Sequence, residues 1–97
     1  MAGTLLFRAA RVITPVRTWA RGWLLVDGAR IALLGPGDPP SSLAADRVID
    51  AAGLTLMPGF IDVHAHGAAG HEAMDATPDA LHGMARYYAR HGVSAFC

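Results

Sequence analysis

Two histidines and an aspartate near the middle of the chain have a spacing suited to metal binding. If residues 60–66 form a strand, the side chains of Asp62, His64 and His66 lie on one face, because successive side chains of a strand alternate between faces. Two imidazoles placed in this way can bind one divalent cation at the roughly 2.0 Å distance that zinc prefers. His64 and His66 are therefore predicted to be metal ligands. A His-x-His pair alone is weak evidence in a chain with five histidines, so its structural context matters.

The other polar residues near this pair have less specific interpretations. Asp62 could hold one imidazole in a fixed tautomer, or accept backbone N–H groups at the start of the strand, and the sequence favours neither. A solvated loop is the simpler interpretation for the polar residues that follow, namely His71, Glu72 and Asp75. Residues 67–70 are small and contain two glycines, which favours a turn over a phosphate-binding loop. No catalytic residue is predicted within the chain.

The segment after residue 58 is predicted to form a strand, a loop, a helix and a second strand. Residues 67–76 should form the loop. Thr77, Pro78 and Asp79 have the order of a helix N-cap, a first-turn proline and a first-turn acid. The helix is expected to end near His91, with an apolar stripe formed by Leu81, Met84, Ala85 and Tyr88. Two strands joined by such a helix lie parallel.

A single unit of this kind cannot cover the apolar faces of its own parallel strands. It is therefore expected to be the first part of a larger α/β fold that continues beyond Cys97. In barrels of that type, reactive groups lie at the C-terminal ends of the strands, which is where His64 and His66 are predicted to be.

The residues before this segment are expected to be rich in β-strands. Short apolar runs cover residues 4–9, 11–14, 23–26, 30–34, 47–50 and 54–57. Asp27 and Gly28 separate two of these runs and predict a tight hairpin. Three prolines and two glycines between residues 35 and 42 predict a loop. Trp19 and Trp23 are expected to be packing residues.

Composition excludes several classes of function. The chain has 97 residues, of which 53% are hydrophobic and 16% charged, and its formal net charge is zero. No basic patch predicts nucleic-acid binding, and no apolar run reaches the roughly 18 residues of a membrane span. All eight basic residues are arginines, which excludes a Schiff-base or carboxylated lysine within these residues. The single cysteine, Cys97, fits a cytoplasmic location.

A longer motif resembles a known superfamily. Residues 58–67, PGFIDVHAHG, are similar to the first-strand motif of the amidohydrolase superfamily of metal-dependent (β/α)8 barrels. The preceding residues 33–35 and 48–57 resemble that superfamily's N-terminal β-sandwich. The resemblance implies a mixed β and α/β chain: part of a small β-sandwich in residues 1–57, then the first βαβ unit of a TIM barrel, incomplete here, in residues 58–97. It also implies that His64 and His66 bind a divalent cation, most often zinc.

The residues after the histidines indicate which group within the superfamily the chain resembles. Residues 66–81 and 89–95 are similar to the corresponding parts of the N-acetylglucosamine-6-phosphate deacetylases, and they differ at Ala68, Ala69, the segment 71–73, Val93 and Ser94. This similarity implies hydrolysis of the acetamide of a phosphorylated amino sugar, with Asp62 supporting the metal ligands, and it suggests a homodimer. Two alternatives stay open. One is another amidohydrolase that opens a cyclic amide or deaminates a heterocycle, and the other is a catalytically silent fragment or β-rich interaction module.

Overall fold

The computed structural model describes residues 3–97, and the chain divides into two compact units, Met1–Pro58 and Gly59–Cys97. The first unit contains five strands: β1 (Thr4–Ile13), β2 (Thr18–Asp27), β3 (Arg30–Pro36), β4 (Arg47–Asp50) and β5 (Thr55–Leu56). The second contains β6 (Phe60–Asp62), β7 (Gly67–Ala68), β8 (His71–Glu72), the helix α1 (Pro78–Arg90) and β9 (Val93–Phe96). The described residues are therefore rich in strands and include one α-helix, which confirms the predicted mixed class in its coarse form.

The strands of the first unit form one sheet in the order β3-β2-β1-β4, and β5 also pairs with β1. The first three strands are antiparallel, whereas β4 and β5 run parallel to β1. The predicted hairpin at Asp27 and Gly28 is confirmed, since Asp27 pairs with Arg30 across the turn and Gly28 has a φ of 60°. This left-handed backbone conformation is one that glycine adopts without steric cost.

The first strand is a single element interrupted by a bulge. Two separate strands were predicted, with a break near Ala10, and this prediction is wrong. Ala9 has a φ of 62°, and the register with β2 shifts between Phe7 and Ala10. An extra residue accommodated in this way bends a strand without ending its pairing, so β1 continues to Ile13.

Two apolar clusters stabilise the first unit. In one, Leu43 and Ala45 from the loop before β4 cover the buried side chains of Leu6, Trp23 and Leu25. In the other, Trp19 and Leu56 pack against Ala10, Val12 and Ala51. Both tryptophans are thus packing residues, as predicted.

In the second unit, α1 begins and ends as its sequence predicts. The Thr77 side chain accepts a hydrogen bond from the Ala80 backbone N–H at 3.2 Å, Pro78 is in the first turn, and His91 caps the C-terminal end. The helix lies between β6 and β9 in the chain, and these two strands pair in parallel, which confirms the predicted βαβ connection. Among residues 3–97, no helix is long and apolar enough to cross a membrane.

The buried face of α1 differs from the predicted stripe. Ala80, Gly83 and Met84 are buried, and Tyr88 is half-buried, whereas Leu81 is exposed. Leu81 and Ala85 were both predicted to lie in the stripe, and both are exposed. The buried face instead includes Ala80 and Gly83, and His71 lies against the helix at Gly83. Alanine and glycine contribute little to a hydrophobic periodicity, so the sequence did not show which face of the helix is buried.

Candidate metal centre

The strand that leads to the two histidines is shorter than predicted. β6 ends at Asp62, and His64 lies in a bend, so the prediction of one strand over residues 60–66 is wrong. The cause is local: Asp62 Oδ1 accepts a hydrogen bond from the His64 backbone N–H at 3.1 Å. An aspartate that bonds the backbone two residues ahead favours a turn over continued strand geometry.

The bend is nevertheless held against β9. The Cys97 backbone N–H donates to the Asp62 carbonyl at 2.9 Å, and the Ala65 N–H donates to the Cys97 carbonyl at 2.8 Å. Backbone pairing between the two segments thus continues past the end of β6. The segment that carries both histidines is tied to the neighbouring parallel strand.

The structure brings His64 and His66 together. Their Nε2 atoms are 3.0 Å apart, and the two rings meet edge to face with an interplanar angle of 79°. Both side chains are exposed. The Asp62 carboxylate accepts the His64 backbone N–H.

The spacing of the two imidazole nitrogens suits a shared cation. Two nitrogens bound to one tetrahedral zinc ion at its usual bond lengths lie roughly 3.3 Å apart. The observed 3.0 Å separation of the His64 and His66 Nε2 atoms is close to this value, so both nitrogens could contact one ion with little movement. Imidazole is also a common protein ligand for zinc. The two residues therefore fit the implied metal.

The pair is only part of a metal site. Across residues 3–97, no group of three or more His, Cys, Asp or Glu side chains is arranged to hold a metal ion. Zinc in proteins usually takes at least three protein ligands. A complete site would need additional ligands besides His64 and His66.

A small hairpin follows directly after His66, where a loop was predicted. Strands β7 and β8 are joined by Ala69 and Gly70, whose φ values are 53° and 81°. Two consecutive residues with positive φ are typical of a tight hairpin turn, in agreement with the turn predicted for residues 67–70. A short 3₁₀ turn, Ala73–Asp75, continues from β8, and the Asp75 side chain accepts a hydrogen bond from the Glu72 N–H at 3.3 Å. The loop residues Glu72 and Asp75 thus stabilise their own segment.

Helix α1 holds this hairpin through contacts that the sequence analysis missed. The His71 imidazole lies against Gly83, where a Cβ atom would come within 2.5 Å of His71 Nε2. The Tyr88 hydroxyl donates a hydrogen bond to the Gly67 carbonyl at 3.1 Å. A glycine in the middle of a helix is unfavourable by itself, and Gly83 was the one available sign of a close approach.

Comparison with known proteins supports the resemblance noted in the sequence. A family model described as the amidohydrolase family matches residues 47–92, which include β4 and the whole segment from β6 to the end of α1. The N-acetylglucosamine-6-phosphate deacetylase of Vibrio furnissii is 58% identical over 41 residues, covering 42% of this chain and 10% of that protein. The resemblance to the amidohydrolase family is confirmed.

Other relatives match a larger part of the chain. The N-acetylgalactosamine-6-phosphate deacetylase of Escherichia coli O157:H7 is 34% identical over 95 residues, which cover 96% of this chain and 23% of that protein. A dihydroorotase from Anaplasma phagocytophilum is 42% identical over 67 residues, covering 65% of this chain and 15% of that protein. Adenine deaminases are also among the relatives.

A solved deacetylase structure is similar to almost the whole chain. It is a variant of the N-acetyl-D-glucosamine-6-phosphate deacetylase of Mycobacterium smegmatis in complex with N-acetyl-D-glucosamine-6-phosphate, with a TM-score of 0.83 and 30% identity. The alignment covers 97% of this chain and 24% of that protein. The chain thus spans about a quarter or less of the length of the relatives that it matches.

Proposed function

We propose that this chain is the N-terminal part of a metal-dependent amide hydrolase that converts N-acetylglucosamine 6-phosphate to glucosamine 6-phosphate and acetate. The observation that carries the proposal is the 3.0 Å approach of the His64 and His66 Nε2 atoms beside a parallel strand pair. The similarity to deacetylases of phosphorylated amino sugars over almost the whole chain supports this substrate class. Zinc is the metal that we propose.

The proposed enzyme gives each unit a place in a larger fold. Residues 1–57 would form part of a β-sandwich, and residues 58–97 would form the first strand, the first helix and the second strand of a (β/α)8 barrel. Two features of the chain support this arrangement. The strands β6 and β9 are parallel and joined by α1, and the histidines follow the C-terminal end of β6, where barrels carry their reactive groups.

In this enzyme the residues of the chain bind and orient the metal. His64 and His66 would each contribute one imidazole nitrogen. Asp62 would hold the bend that leads into His64, because its carboxylate accepts the His64 backbone N–H. When bound, a divalent cation at this position supplies Lewis acidity that polarises an amide carbonyl and acidifies water. The remaining ligands and the group that transfers the proton to the leaving amine would come from other parts of the enzyme.

Two other amidohydrolase activities are supported by the same comparisons. The dihydroorotase relative indicates hydrolysis of a cyclic amide, and the adenine deaminase relatives indicate deamination of a heterocycle. Both reactions use similar chemistry at a C–N bond, so His64 and His66 would have the same role. The products distinguish the three activities: acetate, a ring-opened acid or ammonia.

The test uses the complete open reading frame that encodes this chain. The purified protein is loaded with zinc and assayed on N-acetylglucosamine 6-phosphate, on its unphosphorylated form, on dihydroorotate and on adenine. We expect acetate release from the phosphorylated sugar, and loss of at least about 100-fold of this activity in His66→Ala, because metal ligands are essential to such sites. His82→Ala, which removes an exposed histidine on α1, is the matched control and should retain activity.

Ammonia release from adenine without acetate release would replace the deacetylase proposal with the deaminase alternative. An open reading frame that stops at Cys97 and yields a protein with no hydrolase activity would favour the silent fragment or interaction module. Equal activities of His66→Ala and the unmodified enzyme would contradict the proposed metal ligands.

A further inference from the structure

The backbone around His66 is held at three consecutive residues. The Ala65 N–H donates to the Cys97 carbonyl at 2.8 Å, the His66 carbonyl accepts the Ala73 N–H at 2.7 Å, and the Gly67 carbonyl accepts the Tyr88 hydroxyl at 3.1 Å. The first two bonds join backbone to backbone. The third is made by a side chain, so it can be removed by substitution without altering the backbone.

Tyr88 connects the helix to both segments that define the candidate metal centre. Its ring packs against Phe96 of β9, with the ring centroids 5.0 Å apart, and Phe96 pairs with Asp62 at the end of β6. Its hydroxyl donates to the carbonyl of Gly67, the residue that follows His66. The residue is half-buried, so water competes only partly for this hydrogen bond.

The His64 and His66 rings have few hydrogen bonds that could fix their orientation. In residues 3–97, the hydrogen bond recorded for the His64 and His66 rings is the one between them. Their exposed side chains are therefore oriented by the backbone that carries them. The Gly67 carbonyl belongs to the peptide between Gly67 and Ala68, one residue beyond His66. Movement of this peptide would reach His66 through Gly67, a residue whose backbone rotates freely because it has no side chain.

We propose that Tyr88 is a positioning residue for His66, which it prepares for metal binding by fixing the Gly67 peptide through its hydroxyl. This inference rests on the proposed function, since it takes His64 and His66 as ligands. The expected effect is entropic, because an imidazole already held in its metal-binding orientation loses less conformational freedom when the ion binds. Tyr88 itself contacts neither metal nor substrate in this proposal.

The test is a zinc titration, by isothermal calorimetry at neutral pH, of the metal-free protein encoded by the complete open reading frame that contains this chain. Tyr88→Phe removes the hydroxyl, and 4-fluorophenylalanine at position 88 fills most of its volume without donating a hydrogen bond. We expect both variants to bind zinc about fivefold more weakly, the effect of one lost hydrogen bond. Tyr87→Phe removes an adjacent hydroxyl, on an exposed side chain, and should leave the affinity unchanged.

A purely structural role would give a different result. In that case the position 88 variants would unfold at lower temperature, yet their folded forms would bind zinc as tightly as the unmodified protein, and the proposal would be overturned. His66→Ala separates this failure from failure of the proposed function. If His66→Ala binds zinc as tightly as the unmodified protein, His66 is not a metal ligand, and the positioning role of Tyr88 is overturned as well.

Discussion

The imidazole of His71 occupies the space that a side chain on Gly83 would need: a Cβ atom on Gly83 would lie 2.5 Å from His71 Nε2. The hairpin after His66 is therefore packed onto α1 at a position where the helix has no side chain. Helix stability and hairpin packing have opposite requirements at this residue.

This conflict predicts a coupling between two substitutions. Gly83→Ala in a His71→Ala background should raise the free energy of unfolding by about 1 kcal/mol, because alanine is the better helix former and the space is then free. In the unmodified chain the same change must displace the His71 ring, and the gain should vanish. Urea unfolding followed by helical circular dichroism measures both. Equal effects in the two backgrounds would show that His71 and Gly83 do not interact.

The hairpin turn offers a stabilising substitution. Ala69 has a φ of 53°, a conformation that asparagine tolerates better than alanine, and Asn-Gly is favoured where two consecutive residues have positive φ. Ala69→Asn should therefore stabilise the second unit by about 0.5–1 kcal/mol. Ala68→Asn places the same residue in strand β7 and should not stabilise, because asparagine is disfavoured in strands. Thermal unfolding of the two variants compares them, and a gain for Ala68→Asn would contradict this account.

The core of the second unit depends on one methionine. Met84 is fully buried, with 0% of its surface exposed, whereas Met74 is 86% exposed. Met84→Ala should lower the free energy of unfolding by roughly 2–5 kcal/mol, since it removes apolar contacts and leaves a cavity. Met74→Ala is the control and should change it little. Amide hydrogen exchange of α1 would report the difference, and similar exchange in both variants would be inconsistent with the described packing.

The ion pair between Arg21 and Asp38 predicts a pH effect. Arg21 Nη2 lies 2.6 Å from Asp38 Oδ1, and this hydrogen bond, followed by the positive charge of Arg21, lowers the pKa of Asp38 below its ordinary value. The pair therefore stabilises the folded chain above the ordinary pKa of aspartate, and this contribution is lost as the pH falls through the lowered pKa. Both side chains are exposed, so the effect should be small and weakened by salt.

The NMR chemical shift of the Asp38 carboxyl carbon, followed as a function of pH, measures the pKa of Asp38. In Arg21→Gln, the Asp38 pKa should return toward its ordinary value. Arg30→Gln removes the same charge from another strand and should leave the Asp38 titration in place. An Asp38 pKa that is the same in Arg21→Gln and in the unmodified chain would show that the ion pair does not form in solution.

Features encoded within a few residues could be predicted from the sequence. The hairpin at Asp27 and Gly28 and the helix start at Thr77 depend on local turn and capping chemistry, and the structure has both. The parallel pairing of β6 with β9 follows from the helix between them. The proximity of His64 and His66 could be predicted from their spacing, because two residues separated by a single residue stay close in an extended or a bent chain.

Features that depend on distant contacts were not evident. β6 ends early because the Asp62 carboxylate accepts a hydrogen bond from the His64 backbone N–H. The sequence left open whether this carboxylate would bond an imidazole or the backbone. The contact of His71 with Gly83 and the bond from Tyr88 to Gly67 join residues 12 and 21 positions apart in the numbering. Periodicity within α1 carries no information about a hairpin that packs against it.

The division of the chain into two units also separates its natural spectroscopic probes. Both tryptophans, Trp19 and Trp23, belong to the first unit, while both tyrosines and the helix α1 belong to the second. Indole fluorescence consequently reports the melting of the sheet, and the helical ellipticity reports the melting of the βαβ segment. Overlaid denaturation curves from an unlabelled sample would thus reveal whether the two halves lose their structure together or one after the other.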